Sequence, residues 1–345
     1  MAYFISRVSP GDKRAMAEVE ALLEREGLCR DRNLDYICAM YDEDYRIVAT
    51  GSCFGCTLRC LAVSADHRGE GLLNRIVTHL MEVQLERGNL RLFLYTKGSA
   101  ARFLGDLGFY EIARVGGDLV FMENRRDGFE NYLRALEKTR RAGRSAALVM
   151  NANPFTRGHQ YLAETAAAAC DTLHLFLVSE DVSLVPFRVR KRLAKAGTAH
   201  LPNVVLHDSG PYIISHATFP SYFLPDEAAA AGGHARLDLA VFVRIAQALG
   251  VSVRYVGEEP FSQVTALYNQ VMAGQLPAAG IGCVTVPRLE VSGVPVSASE
   301  VRRLIRQGRL EEIRDLVPES TFAYLISPEA QPVIARICQA GDEPL

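Results

Sequence analysis

Apolar residues in the first third of the chain alternate with polar ones over short stretches, interrupted by two segments with apolar spacing of three to four. Alternation predicts strands at 3–8, 36–40, 45–50 and 58–63. The wider spacing predicts amphipathic helices over 13–26 and 72–87. A strand at 90–95, a helix from Ser99, and strands at 109–113 and 119–122 follow, and this mixed order predicts an α+β domain over 1–127. Residues 128–144 are charged, helical in pattern and poor in core residues, as expected of a linker helix. From Ser145 the pattern changes to continuous apolar runs separated by helical spacing, with strands near 146–150, 173–179, 203–208, 251–257 and 282–286. Strand–helix alternation of that kind predicts a doubly wound parallel sheet, here over 145–327. The Ala-rich segment 226–234 reads as a mobile loop, 298–307, 310–316 and 318–326 as small helices, and 328–345 as a C-terminal tail.

One stretch of this pattern also carries chemistry. Leu148-Val149-Met150-Asn151-Ala152-Asn153-Pro154-Phe155-Thr156-Arg157-Gly158-His159 is a buried strand, a polar turn and the start of an Ala-rich helix. The first amides of a helix have no intrahelical acceptor and carry the positive end of its dipole. Phosphate groups suit that position. Gly158 permits close backbone approach, and Thr156 and His159, three apart, share a face as hydrogen-bond donors. The element therefore predicts a nucleoside triphosphate site; a plain capped helix start is the alternative reading for Gly-His alone.

Composition narrows the class. A chain of 345 residues, 49% apolar, is long enough for two cores. A formal charge of −2 lacks the basic excess of a nucleic-acid binder. No apolar run reaches membrane-spanning length and residues 1–11 have no signal-peptide core, which points to the cytoplasm. The eight cysteines (29, 38, 53, 56, 60, 170, 283 and 338) lie in apolar surroundings. Cys53, Cys56 and Cys60 cluster, but a zinc site would need a fourth ligand. Reduced thiols and no structural metal are expected.

A second segment, Val296-Ser297-Ala298-Ser299-Glu300-Val301-Arg302, enters a helix after a loop. Ser297 or Ser299 can cap it, and the Arg302 fork lies one turn on, suited to two phosphate oxygens. Together the two segments resemble the HxGH nucleotidyltransferase superfamily, with its Rossmann-like domain. With Tyr212-Ile213-Ile214-Ser215-His216-Ala217-Thr218-Phe219-Pro220 and Val256-Gly257-Glu258-Glu259-Pro260-Phe261, the blocks look like the citrate lyase ligase family along nearly the whole chain.

That resemblance implies an AMP-forming acid–thiol ligase. It would use ATP and acetate to acetylate the phosphoribosyl-dephospho-coenzyme A thiol on the acyl-carrier subunit of citrate lyase, through acetyl-adenylate, releasing pyrophosphate. It implies His159, Thr156 and Arg302 as catalytic. Asn151, Asn153, Phe155, Gly158, Gly257, Ser297 and Ser299 would bind ATP, with Mg²⁺ held mainly by substrate and water. Thr156 stands where many superfamily members have His. The segment before Phe187, Ser183-Leu184-Val185-Pro186, has no Lys where related transferases often place one, so Arg188, Arg190 or Lys191 are candidate substitutes at the phosphate or acetate, the solvated face of the helix after Pro186 being the other reading. Ser215 and Thr218 are candidate acetate contacts. Adenylyl transfer to a phosphorylated cofactor precursor, and a nucleotide- and coenzyme-binding regulatory module without turnover, are the alternatives.

In the first domain, Asp66-His67-Arg68-Gly69-Glu70-Gly71-Leu72-Leu73 resembles the pyrophosphate loop of GNAT-type acetyltransferases, although Leu73 stands where a small residue is usual. A GNAT-like fold follows from it, with Arg68, Gly69 and Gly71 as candidate contacts to a coenzyme A-like group. An inert scaffold is the other reading.

Overall fold

The computed structural model describes residues 3–116, 119–213, 219–220, 222, 227–258 and 263–340. It divides into two compact units, Met1–Asn131 with Thr218–Ala240, and Tyr132–Ala217 with Val241–Leu345.

The first unit runs β1 (Phe4–Arg7), α1 (Lys13–Arg25), β2 (Tyr36–Tyr41), β3 (Ile47–Phe54), β4 (Thr57–Val63), α2 (Leu72–Glu86), β5 (Phe93–Thr96), α3 (Gly98–Asp106), β6 (Tyr110–Val115) and β7 (Leu119–Glu123). Met16, Val19, Leu22 and Leu23 bury one face of α1, and Asp12 caps it by accepting from the Ala15 amide at 3.0 Å. The sheet order is β1-β2-β3-β4-β5-β7-β6, antiparallel except for β4 and β5. Those two pair only at Thr57–Phe93 and Leu58–Leu94. Gly51 on β3 admits α2 to the sheet, because a Cβ there would meet Ile76 Cγ2 at 2.5 Å. The mixed α+β order is the one the alternation predicts.

The second unit begins within α4 (Gly128–Glu137) and continues β8 (Ser145–Met150), α5 (Arg157–Ala168), β9 (Thr172–Leu177), α6 (Phe187–Gly197), β10 (Val204–Asp208), the part of α7 (Glu227–Leu249) from Val241 onward, β11 (Val251–Gly257), α8 (Gln263–Gln275), β12 (Gly282–Val286), β13 (Glu290–Val291), β14 (Val294–Pro295), α9 (Ala298–Arg306), α10 (Glu319–Leu325) and α11 (Gln331–Gln339). Strands β8 to β12 form a parallel sheet in the order β10-β9-β8-β11-β12. The chain winds outward in both directions from β8, so the switch point lies between β8 and β11. Ligands of such sheets bind beyond the carboxyl ends of the strands at that point.

Three expectations need correction. The segment 226–234 is not a loop: from Glu227 it is the first part of α7, and Gly232, Gly233 and His234 are buried. An alanine run favours helix, and burial outweighs the roughly 1 kcal/mol that each glycine costs there. Of the segment expected as a tail, residues 328–340 are structured, since α11 buries Val333 and Ile337 in the core of the second unit; 341–345 lie outside the described residues. The linker helix stops at Glu137, and its Phe129 and Leu136 are core residues.

Candidate active site

The turn between β8 and α5 is built by its own side chains. Thr156 caps α5: its Oγ1 accepts from the His159 amide at 3.4 Å, and the Thr156 amide donates to His159 Nδ1 at 3.1 Å. With Nδ1 accepting, the neutral imidazole carries its proton on Nε2, which has no partner among the described residues. Burial, and then the positive charge of Arg288, push the His159 pKa down to about 4. A neutral donor at pH 7 therefore stands at the start of α5.

The second helix start lies against the first. A Cβ on Gly158 would meet the Val296 carbonyl oxygen at 3.0 Å. Ser297 caps α9, accepting from the Glu300 amide at 3.1 Å. Arg302 Nη1 donates to the Asn153 carbonyl at 2.7 Å and Nη2 to Ser299 Oγ at 3.2 Å. Burial, and then the Arg306 charge, lower the Arg302 pKa. The amides of Gly158, Ala298 and Ser299 have no partner among the described residues, whereas those of Arg157 and His159 are taken by Leu316 O and Thr156 Oγ1.

Both helix starts line one cleft of about 1190 Å³ at the carboxyl ends of β8 and β11. Asn151, Asn153, Thr156, Gly158, His159, Gly257, Ser297, Ser299 and Arg302 all face it. Asn153 Oδ1 accepts from the Val185 amide at 2.9 Å, while its buried Nδ2 has no partner among the described residues. Arg288, Arg303 and Arg306 add positive charge against Glu258 and Glu300. Glu300 is already engaged by Arg303, whose hydrogen bonds hold its carboxyl below the usual range. Such a cleft, rich in amide donors and guanidinium groups, suits a polyphosphate.

Four other candidates sit elsewhere. Phe155 is fully buried outside the cleft; it fills the space over Gly197 and stacks behind His159, with ring centroids 5.7 Å apart. Arg190, also fully buried, donates to the carbonyls of Val185, Asn151, Val178 and Glu180 at 2.6–3.0 Å. It holds the strand ends together and is not a phosphate ligand. Lys191 pairs with Asp208 at 2.7 Å, and exposed Arg188 does not line the cleft. Ser215 and Thr218 lie outside the described residues. Sequence reasoning missed Arg288, Arg303 and Arg306. The latter two follow Arg302 by one and four positions, a visible signal; Arg288 belongs to no motif.

In the first unit a separate cleft of about 810 Å³ opens where β4 and β5 cease to pair, lined by Leu61, Val63, Tyr95 and Thr96 among others. Arg68, Gly69 and Gly71 line it at the start of α2, the glycines at φ +87° and +73°. Only glycine takes those angles without strain, so the loop keeps its backbone open to the cleft. Arg68 is ion-paired with Glu26, and Leu73 and Phe103 add apolar surface. All eight cysteines are free thiols. Among the described residues no group of three or more His, Cys, Asp or Glu side chains is placed to hold a metal, and no helix is long and apolar enough to cross a membrane.

The family model for the citrate lyase ligase C-terminal domain matches residues 145–325. The [citrate [pro-3S]-lyase] ligase of Escherichia coli (strain K12) is 39% identical over 327 residues, 93% of this chain and 93% of its own. That of Haemophilus influenzae is 35% identical over 326 residues, 92% of this chain and 97% of its own. Solved structures match by parts. A GNAT-family acetyltransferase from Staphylococcus aureus covers 35% of this chain and 98% of its own at 15% identity and TM-score 0.31. TmcAL of Thermotoga maritima, bound with alpha-thio ATP, covers 53% and 55% at 17% identity and TM-score 0.38.

Proposed function

The chain belongs to the citrate lyase ligase family, and on that premise we propose that it activates citrate lyase by ATP-dependent acetylation in the cytoplasm. ATP binds in the cleft of the second unit, its phosphates spanning the starts of α5 and α9. Acetate oxygen attacks the α-phosphorus, the bond to the bridging oxygen breaks, and pyrophosphate departs. The carrier thiol then takes the acetyl group from acetyl-adenylate, losing its proton to solvent, and AMP leaves. This chemistry needs alignment and charge neutralisation from the protein, with no covalent participation. His159 Nε2–H and the Gly158, Ala298 and Ser299 amides donate to phosphate oxygens. Asn153 Nδ2 is a further donor there, and Gly257 and Glu258 flank the nucleoside. Mg²⁺ carried with the ATP would neutralise part of the triphosphate charge, since no group of three or more His, Cys, Asp or Glu among the described residues is placed to hold a metal.

The observation that supports this reading best is the junction of the two motifs, Gly158 against Val296 and Arg302 on Asn153. The first unit supplies a second site: its cleft and glycine loop receive the coenzyme A-like arm of the carrier. Labelled pyrophosphate should exchange into ATP only when acetate is present, and the carrier thiol should become acetylated. Exchange supported by a phosphorylated acceptor and not by acetate would point instead to cofactor adenylylation.

A further inference from the structure

The polyphosphate site described above is short of charge at its first motif. Thr156 replaces a possible second imidazole, and the His159 ring is neutral. Arg302 is buried and spends part of its fork on Asn153 O and Ser299 Oγ, so it works as a strut between the two helix starts. The α6 cations are elsewhere: Arg190 is bound to carbonyls and Lys191 to Asp208. Arg303 is tied to Glu300 at 2.6 and 2.7 Å and to Gln307 at 3.1 Å. Arg306 bears on Arg302, so it stands at the second motif.

We propose that Arg288 is a further catalytic residue, whose guanidinium meets the phosphate chain beside His159 and neutralises the charge passing to the departing pyrophosphate. The inference rests on the ATP-ligase reading of the same cleft. Three features of the fold place Arg288 there. It lies two residues beyond β12, next to the switch-point strand β11, with which β12 pairs from Val253–Gly282 to Gly257–Val286. Its Nε donates to the Glu258 carbonyl at 2.9 Å, which anchors the side chain at the carboxyl end of β11. It lines the same cleft as His159, on whose ring its charge already acts. A planar fork at that point can bridge two phosphate oxygens, and its worth rises as negative charge moves onto the leaving group.

Arg288→Gln and Arg288→Lys should be compared with the wild type by acetate-dependent pyrophosphate–ATP exchange, and by calorimetric binding of pyrophosphate to the full chain. Arg288→Gln should slow exchange about a hundredfold and weaken pyrophosphate binding at least about tenfold, one charge-assisted contact. Arg288→Lys should retain the larger part of both. Wild-type binding in the Gln variant, or equal losses in Gln and Lys, overturns the assignment. Failure of the wild type to exchange label with acetate counts against the ligase reading; the pyrophosphate comparison still decides Arg288.

Discussion

Substitution of Gly158 tests the central geometry most directly, because the two consequences of adding a side chain there have opposite signs. Gly158 is the second residue of α5, and replacing glycine by alanine within a helix favours the fold by up to about 1 kcal/mol. The added Cβ, however, sits 3.0 Å from the Val296 carbonyl oxygen, 3.5 Å from Thr156 Oγ1 and 3.7 Å from Val296 Cβ. Ordinary C···O contacts begin near about 3.3 Å, so the α9 start must retreat by roughly 0.3 Å. The neighbour is backbone next to a helix cap and cannot swing away as a long side chain would. A misplacement of about 1 Å can cost about a hundredfold in rate, and by the same scale 0.3 Å costs about fourfold. Gly158→Ala should therefore lower the exchange rate about three- to tenfold while the melting temperature stays within about 4 °C. Gly158→Val, with two further carbons branching from that Cβ, should lose about a hundredfold or more. A series in which all three proteins exchange label equally fast would refute the convergence of the two helix starts on one substrate.

His159→Ala should lower turnover roughly a hundredfold by removing the Nε2 donor. Since the free imidazole is held down to about 4, kcat/KM should not fall through a group near 6.5; its acid limb belongs near 4, where a second proton would displace the Thr156 amide from Nδ1. The same shift erodes stability as pH falls from about 6.5, where an unfolded His protonates, to about 4, where the native ring follows. An activity limb near 6.5 that vanishes in His159→Gln would contradict the neutral-donor assignment. Arg190→Ala strands four carbonyls around a cavity and should cost about 3 kcal/mol or more, read as a melting-point drop of roughly 6–12 °C. Arg68→Ala should raise the KM for the acyl-carrier subunit and leave acetate-dependent exchange unchanged; an unchanged KM would mark the first-unit cleft as scaffold.

Much of this fold was legible because its strands are short, apolar and bounded by turn residues. Ser145–Met150, Thr172–Leu177, Val204–Asp208, Val251–Gly257 and Gly282–Val286 each lie within two residues of a predicted strand. The two helix starts were legible for a different reason: cap, glycine and arginine occur at fixed local offsets that reflect backbone hydrogen bonding. What remained hidden was long-range. Nothing local distinguishes Arg190, locked to carbonyls in the core, from Arg188 two positions earlier and exposed to solvent. Phe155 stands inside the motif yet belongs to the core, because the turn sends its ring onto Gly197. The segment 226–234 read as a loop because two glycines interrupt the alanine run, and only their burial shows why the helix from Glu227 survives them.

Arg288 and Arg302 show how the same residue type is divided between structure and charge. Arg302 sits where the motif foretells a phosphate ligand, but the residue is only 7% exposed, and its guanidinium, donating to Asn153 O, has already spent part of its fork on protein. In exchange, it fixes the distance between helix starts separated by some 140 residues of sequence. Removing it would disturb Asn153, the α9 cap and the Gly158–Val296 contact together, so a loss of activity in an Arg302 variant cannot by itself identify a phosphate contact. Arg288 has the complementary design. Its Nε is anchored on a carbonyl at a strand end, its charge reaches the His159 ring, and its place in the chain follows from the β11–β12 pairing. Charge neutralisation and alignment thus rest on different arginines, and they are separable by substitution for that reason.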